Sequence, residues 1–92
     1  MEFEWDIEKA AANLGKHGVD FLEASTIFGD PLELTLSDPG HSPDEFRFIS
    51  LGTSLAGRLL VVSYTEREHR IRIISSRQAT SRERRQYESE QS

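Results

Sequence analysis

The segment 59–77 restricts the fold of this chain more than any other, because it has the pattern of two adjacent β-strands. Residues 59–65 are apolar and β-branched, and three isoleucines within residues 71–74 mark a second strand. The charged residues 66–69 between them are too polar to continue a buried run, so they indicate the turn. The sequence therefore predicts a β-hairpin at the centre of the fold.

Alternation along the second strand predicts which side chains share a face of the sheet. One face is expected to carry Ile71, Ile73 and Ser75, and the other Arg70, Arg72 and Ile74. Two arginines on one face, with Arg77 just beyond the strand, can bind phosphate bidentately. Charged outer faces are common on antiparallel sheets, so the hairpin alone favours an ordinary solvated face.

Composition narrows the classes of function. The 92 residues predict one domain with a small core, and residues 88–92 are expected to form a flexible tail. The absence of cysteine excludes disulfides and thiolate metal sites. No apolar run approaches the length of a membrane span and no signal-peptide pattern is present, so we expect a cytoplasmic protein.

Charge is distributed unevenly along the chain. Residues 1–50 contain eleven acids and only three bases, whereas residues 51–92 contain five acids and eight arginines. The net charge of −5 argues against nucleic acid as a ligand, but the distribution matters more than the sum. An anionic ligand is therefore expected to bind the C-terminal half.

The remaining patterns predict an α+β domain with the element order β-α-α-β-β-β-β-α. A short first strand is followed by two helices, the first with an apolar stripe of Ile7, Ala10, Ala11 and Leu14. Residues 32–37 and 47–54 are predicted strands, and 38–44 is a predicted loop. We expect an antiparallel sheet with the helices packed on one face and a short C-terminal helix.

Two titratable side chains are candidates for acid–base chemistry. His17 lies at a predicted helix end, and histidine is the side chain that titrates nearest neutral pH. A Lys-His-Gly sequence is also a good helix terminator, which accounts for His17 without catalysis. Glu66 ends the first hairpin strand beside Arg67, where it can accept a proton or form a surface ion pair.

Candidate contacts to an anionic polymer come from the arginines and from one tyrosine. Arg58 and Arg70 join Arg72 and Arg77 as phosphate-binding candidates. Tyr87 is predicted to be exposed, where its ring can stack on a base. The three histidines lack the spacing of metal ligands, and no phosphate-binding loop or nucleophile motif is present. An enzyme with this sequence is therefore expected to work without a metal or cofactor.

Short motifs in order along nearly the whole chain resemble those of BrnT-type toxins. They are Phe3-Glu4-Trp5-Asp6, Lys16-His17-Gly18-Val19, Asp30-Pro31, Thr65-Glu66-Arg67, Arg72-Ile73-Ile74-Ser75 and Arg77-Gln78-Ala79. The Lys-His-Gly-Val and Arg-Ile-Ile-Ser-x-Arg motifs are specific when they occur together.

The resemblance implies a small RelE-like domain that acts as a metal-independent ribonuclease and inhibits translation. It also implies a BrnA-type antitoxin, through which the toxin meets operator DNA, and a toxin dimer within a heterotetrameric complex. The catalytic residues that it implies are Lys16, His17, Glu66, Arg72 and Arg77. The residues expected to contact RNA are Arg58, Arg67, Arg70 and Tyr87. Whether His17 or Glu66 is the base stays open.

A non-catalytic binding module is the alternative interpretation. In that case the arginines bind an acidic peptide or DNA, and the chain is an inactivated toxin or a subunit of a repressor complex. The net acidity favours this alternative, because a nuclease generally gains from positive charge.

Overall fold

The computed structural model of the chain describes residues 1–37 and 46–91. Its strands are β1 (Glu2–Glu4), β2 (Leu34–Ser37), β3 (Arg47–Thr53), β4 (Leu59–Arg67) and β5 (Arg70–Gln78). Its helices are α1 (Ile7–His17), α2 (Phe21–Ser25), which continues into a 3₁₀ turn (Thr26–Gly29), and α3 (Ser81–Ser89). The predicted α+β class and element order are confirmed, and the expected loop over residues 38–44 lies outside the described residues.

The five strands form one sheet in the order β1-β5-β4-β3-β2. Strands β2 to β5 are antiparallel to their neighbours, whereas β1 pairs with β5 in parallel. The expectation of a wholly antiparallel sheet is therefore wrong at this edge. A short turn forces antiparallel pairing, but β1 is separated from β5 by helices and three strands, which leaves its direction free.

The central hairpin is confirmed, and its strands extend further into the charged segment than predicted. Both β4 and β5 reach the two-residue turn Glu68-His69, with Arg67 paired to Arg70. Both turn residues have positive φ, 47° and 69°. Positive φ at both positions is the geometry of a type I′ turn, whose twist matches that of a two-residue hairpin.

A β-bulge interrupts the hairpin in the middle of β5. Ser63 pairs with Ser75 and Tyr64 pairs with Ile73, so Ile74 is an extra residue with no partner of its own in β4. One extra residue reverses the alternation of every side chain that follows it.

The bulge decides which β5 side chains share a face. Register places Thr65, Arg72 and Arg77 on one side of the sheet, which we call the polar face. Ser75 also lies on the polar face, opposite Ser63. Its predicted placement with Ile71 is therefore wrong, because simple alternation does not include the extra residue.

The opposite face, the core face, carries the larger apolar cluster. Its fully or nearly buried members are Val19, Phe21, Ala24, Ile27, Leu60, Val62, Tyr64, Ile71 and Ile73. Helix α2 and the 3₁₀ turn supply three of them, namely Phe21, Ala24 and Ile27. Trp5 packs edge to face on Phe21, with 6.1 Å between the ring centroids.

Helix α1 does not bury the stripe that its apolar residues predict. Ile7 is 81% exposed and Leu14 is 50% exposed, whereas Asn13 is only 7% exposed. The Asn13 amide donates to the carbonyl oxygens of Ser76 and Val19, at 2.8 and 2.9 Å. Its side-chain oxygen accepts the backbone N–H of Ser76 at 3.0 Å.

The burial of Asn13 in place of the apolar stripe of α1 has a physical cause in the sheet. The register of β1 ends opposite Arg72, so the outer edge of β5 beyond that point lacks a neighbouring strand. The carboxamide of Asn13 supplies the donor and the acceptor that a neighbouring strand would otherwise offer to Ser76. A helix that forms hydrogen bonds with the edge of a strand must place a polar residue on its inner side. The periodicity of the apolar residues does not predict this requirement.

Helix α3 lies on the polar face, so the expectation that all helices share one face is wrong. Tyr87 is 8% exposed and packs with Leu51, Leu59 and Val61. Its hydroxyl donates to the carboxylate of Asp30. The predicted exposure of Tyr87 is therefore also wrong. Residues 88 and 89 belong to α3, so the expected tail can begin only after the helix.

No helix in the two described segments is long and apolar enough to span a membrane.

Candidate functional site

The part of the polar face that α3 leaves uncovered borders two adjoining cavities. The first, about 500 Å³, is the strand cavity, lined by Lys9, Phe46, Arg47, Thr65, Glu66, Arg67, Arg72 and Ile74. The second, about 230 Å³, is the helix cavity, lined by Lys9, Ala12, Asn13, Lys16, His17, Ile74 and Ser75. Lys9 and Ile74 line both cavities, so the two form one continuous cationic region.

A row of three side chains crosses the strand cavity from β3 to β5. Arg47 is the register partner of Thr65, and Thr65 is the register partner of Arg72. Neighbouring strands lie about 4.8 Å apart, so the two arginine backbones are separated by roughly 10 Å with Thr65 between them. Both guanidinium groups can therefore reach a ligand that lies over Thr65.

Two glutamates of strand β1 neutralise part of the positive charge of the predicted arginine pair. Glu2 and Glu4 are the register partners of Arg70 and Arg72. The Arg72 Nη1 atom lies 3.2 Å from a Glu4 carboxylate oxygen, and Arg70 Nε lies 3.3 Å from Glu2. Both pairs are partly exposed, so salt and competing anions weaken them. The arginines remain available to a polyanion, but with less free charge than their number indicates.

Arg77 occupies a different part of the polar face from Arg72. Five residues of extended strand separate them by roughly 16 Å. The two terminal nitrogens of Arg77 bind the two carboxylate oxygens of Glu83 at 2.8 and 2.9 Å. Arg77 lines neither cavity, so the structure does not bring Arg72 and Arg77 to a common phosphate.

The Arg77–Glu83 pair predicts how stability depends on pH. The Arg77 guanidinium is the main cause that lowers the pKa of Glu83 from 4.5 to about 2. A carboxyl with a depressed pKa stabilises the fold above its ordinary pKa, and this contribution is lost as pH falls towards 2. We expect Glu83→Gln to reduce the free energy of unfolding by about 1 kcal/mol at pH 7.

Urea unfolding at pH 7 and at pH 2 measures this effect. The deficit of Glu83→Gln should be mostly lost at pH 2, where about half of Glu83 is protonated in the folded chain. Glu88→Gln, an exposed change on the same helix, is the control and should have little effect at either pH. A pH-independent deficit for Glu83→Gln would show that the ion pair is not its cause.

Lys16 and His17 are brought together in the last turn of α1. Gly18 ends the helix with a left-handed φ of 70°, as the Lys-His-Gly sequence predicts. Both side chains line the helix cavity together with Ser75 of β5. A titratable imidazole and a cation therefore lie side by side at the edge of the polar face.

Glu66 borders the strand cavity but belongs to the other face. It pairs with Ile71, whose side chain is part of the core cluster. Burial chiefly raises the pKa of Tyr64, and the nearby negative charge of Glu66 raises it further. The structure thus places Glu66 and His17 in different cavities and directs their side chains from different faces.

The four residues predicted to contact RNA lie in different parts of the structure. Arg67 lines the strand cavity and Arg70 lies at the hairpin turn. Arg58 precedes β4 at its other end, roughly 30 Å from Arg67 along the strand. Its guanidinium binds the carboxylate of Glu23, with Nε at 2.9 Å, and the carbonyl oxygen of Gly18. Arg58 and the buried Tyr87 therefore hold the fold together and line neither cavity.

Three of the charged or polar residues that line the strand cavity were not among the predicted site residues. They are Lys9, Arg47 and Thr65. A signal for two of them was present in the charge distribution, because Lys9, Lys16 and Arg47 are the only bases among residues 1–50. All three line the two cavities. Thr65 gave no signal, since a β-branched residue in an apolar strand indicates only packing.

No cluster of three or more histidine, aspartate or glutamate side chains that could hold a metal ion occurs among residues 1–37 and 46–91.

Comparison with known proteins gives the following similarities. Residues 5–83 match the family model described as the ribonuclease toxin BrnT of type II toxin–antitoxin systems. No curated protein matches the chain. The fold is similar to the crystal structure of the Brucella abortus ribonuclease toxin BrnT, with a TM-score of 0.64 and 23% sequence identity. That similarity covers 88% of this chain and 99% of the Brucella chain.

Proposed function

The chain belongs to the family of BrnT ribonuclease toxins of type II toxin–antitoxin systems, and from this premise we propose that it cleaves RNA without a metal ion. The observation that carries the proposal is the pair of adjoining cavities, which places His17 and Lys16 next to the cationic polar face. Cleavage of RNA in the cytoplasm is proposed to inhibit translation. The fold is proposed to be RelE-like.

The proposed reaction is transfer of the phosphoryl group to the 2′-hydroxyl of the same nucleotide. A base removes the hydroxyl proton, the 2′-oxygen attacks phosphorus, and an acid donates a proton to the departing 5′-oxygen. The products are a 2′,3′-cyclic phosphate and a free 5′-hydroxyl. Cations must stabilise the negative charge of the pentacovalent transition state. Lys16 and Arg72 are proposed for this role, because each lines one of the cavities.

His17 is proposed as the main acid–base group and Glu66 as the secondary one. A group that exchanges a proton with the substrate must come within hydrogen-bonding distance of it. His17 lines the helix cavity, where it can reach a bound phosphate, whereas Glu66 borders the strand cavity from the core face. Arg77 reaches a phosphate only when its pair with Glu83 opens, so its proposed contribution to catalysis is small.

Expression of the chain alone in bacteria tests the proposal. We expect growth arrest and loss of intact RNA, and purified protein should cleave RNA equally well with a chelator present. Arg72→Gln should relieve the arrest, because it removes a cation from the strand cavity. Arg84→Gln removes the same charge from the exposed surface of α3 and should leave the arrest unchanged.

Co-expression provides the second arm of the same experiment. The type II family implies an antitoxin partner, and we propose that it is of the BrnA type. It should restore growth by binding a toxin dimer in a heterotetramer that meets operator DNA only through the antitoxin. A folded chain that neither arrests growth nor cleaves RNA would instead favour the non-catalytic binding module.

A further inference from the structure

The row Arg47–Thr65–Arg72 contains buried polar atoms that lack a partner. Thr65 is 1% exposed, and its hydroxyl oxygen has no hydrogen-bond partner in the described segments. The Nε atom of Arg47 is likewise buried without a partner there. The two residues are cross-strand neighbours, and both line the strand cavity.

Unpartnered polar groups are unusual in folded proteins because each one carries the cost of lost hydration. Ser76 holds the third such side-chain atom of the described residues, and it lies on the core face opposite Val62. Of these three residues, Thr65 and Arg47 line the strand cavity, whereas Ser76 lines neither cavity. Two neighbouring donors that lack an acceptor, in a cavity lined with cations, are suited to an oxygen-rich anion.

We propose that Arg47, Thr65 and Arg72, with Lys9 at the side, form a binding site for the phosphate of an RNA backbone. The Thr65 hydroxyl and Arg47 Nε–H donate to phosphate oxygens, and Arg72 donates from the opposite side. Arginine suits this task because its planar group binds two phosphate oxygens at once.

The surrounding charges fit a phosphate better than a carboxylate or a neutral ligand. Lys9 and Arg67 line the same cavity and form no ion pair with any described residue. Two acids adjoin the row: Glu66 also lines the cavity but belongs to the core face, and Glu4 holds Arg72 by one contact of 3.2 Å. A phosphate that carries a full negative charge competes for that arginine, and Glu4 keeps Arg72 oriented along β5 until it arrives.

The phosphate site extends the proposed ribonuclease function. It rests on that function only for the identification of the phosphate as part of an RNA backbone. Lys9 and Ile74 line both cavities, so a phosphate over Thr65 lies next to the helix cavity that holds His17. We assign Arg47 and Thr65 to a phosphate neighbouring the scissile one, and Arg72, at the β5 end of the row, contacts both phosphates. The row therefore positions the RNA strand, and the chemistry takes place beside His17.

Titration of the isotope-labelled full chain with inorganic phosphate at constant ionic strength, followed by NMR, tests the site without requiring cleavage. Amide shifts should centre on β3, β4 and β5 around the row. Thr65→Val should weaken phosphate binding by about tenfold or more, because it removes a hydrogen bond to a charged ligand. The same change should leave the melting temperature equal or higher, since it removes a buried hydroxyl without a partner.

A pair of arginine variants distinguishes phosphate binding at the site from general electrostatic attraction. Arg47→Gln and Arg85→Gln remove the same charge, but Arg85 is exposed on α3. Only Arg47→Gln should weaken phosphate binding beyond a small screening effect. In RNA cleavage, Thr65→Val should raise KM and leave kcat unchanged, whereas a residue in the chemical step would lower kcat.

The outcomes distinguish the site from the proposed function. Phosphate binding at the row in a chain that does not cleave RNA would support the site and overturn the ribonuclease. Cleavage with an unchanged KM in Thr65→Val would support the ribonuclease and overturn the site. Equal losses of phosphate binding in Arg47→Gln and Arg85→Gln would also overturn it.

Discussion

Replacing His17 with alanine is expected to slow RNA cleavage by about 10²–10⁴-fold, the usual contribution of a positioned acid–base group. The expectation follows from the helix cavity, in which the imidazole lies beside Lys16 and next to the cationic polar face. Single-turnover cleavage by the purified protein measures the chemical step directly. Growth arrest in bacteria should disappear in parallel.

Glu66→Gln is the matched control for this experiment. It also removes a titratable group near the cavities, but the group belongs to the face of Tyr64. Its loss of activity should be clearly smaller than that of His17→Ala. Full activity of His17→Ala with a large loss in Glu66→Gln would reverse our assignment and make the strand cavity the place of proton transfer.

Asn13→Ala is expected to reduce the free energy of unfolding by about 2–4 kcal/mol. The change removes the acceptor for the N–H of Ser76 and the donor for two carbonyl oxygens, all in a buried setting. The backbone groups left behind lose their partners at the edge of β5, where water has poor access. Urea unfolding followed by circular dichroism gives the magnitude.

Leu14→Ala provides the comparison on the same helix. Apolar periodicity assigns Leu14 to the buried stripe, but half of its surface is exposed. Its loss should stay within about 0.5 kcal/mol, as for other surface substitutions. If Leu14→Ala proved more damaging than Asn13→Ala, the orientation of α1 described above would be wrong.

The local signals in the sequence predicted the hairpin and the end of α1 at Gly18. Asp6, Asp20 and Thr80 all accept backbone N–H groups at the first turns of their helices, and Thr80 forms the complete capping box with Glu83. Caps and tight turns can be read from the sequence because each depends on a few residues that are adjacent in the chain. Neighbours in space but not in sequence had no influence on them.

The wrong predictions share one physical cause, which is contact between residues that are far apart in the sequence. The buried position of Asn13 depends on where β1 stops pairing with β5, and the buried position of Tyr87 depends on Asp30. Likewise, Glu4 and Arg72 are far apart in sequence and meet only through the parallel pairing of the edge strand. The sequence named Arg72, Lys16 and His17, which the structure brings to the two cavities, but it did not name Arg47 and Thr65. The part that these residues play in RNA cleavage stays a prediction.

The bulge at Ile74 makes β5 tolerant of the loss of one residue at that position. Deleting Ile74 would join Ile73 directly to Ser75, and every following residue would keep its partner in β4 and its side of the sheet. Arg77 would remain on the polar face and Ser76 on the core face. A gap at this position in the comparison of two related chains therefore signifies the loss of the bulge, whereas a one-residue gap elsewhere in the second half of β5 would exchange inside and outside.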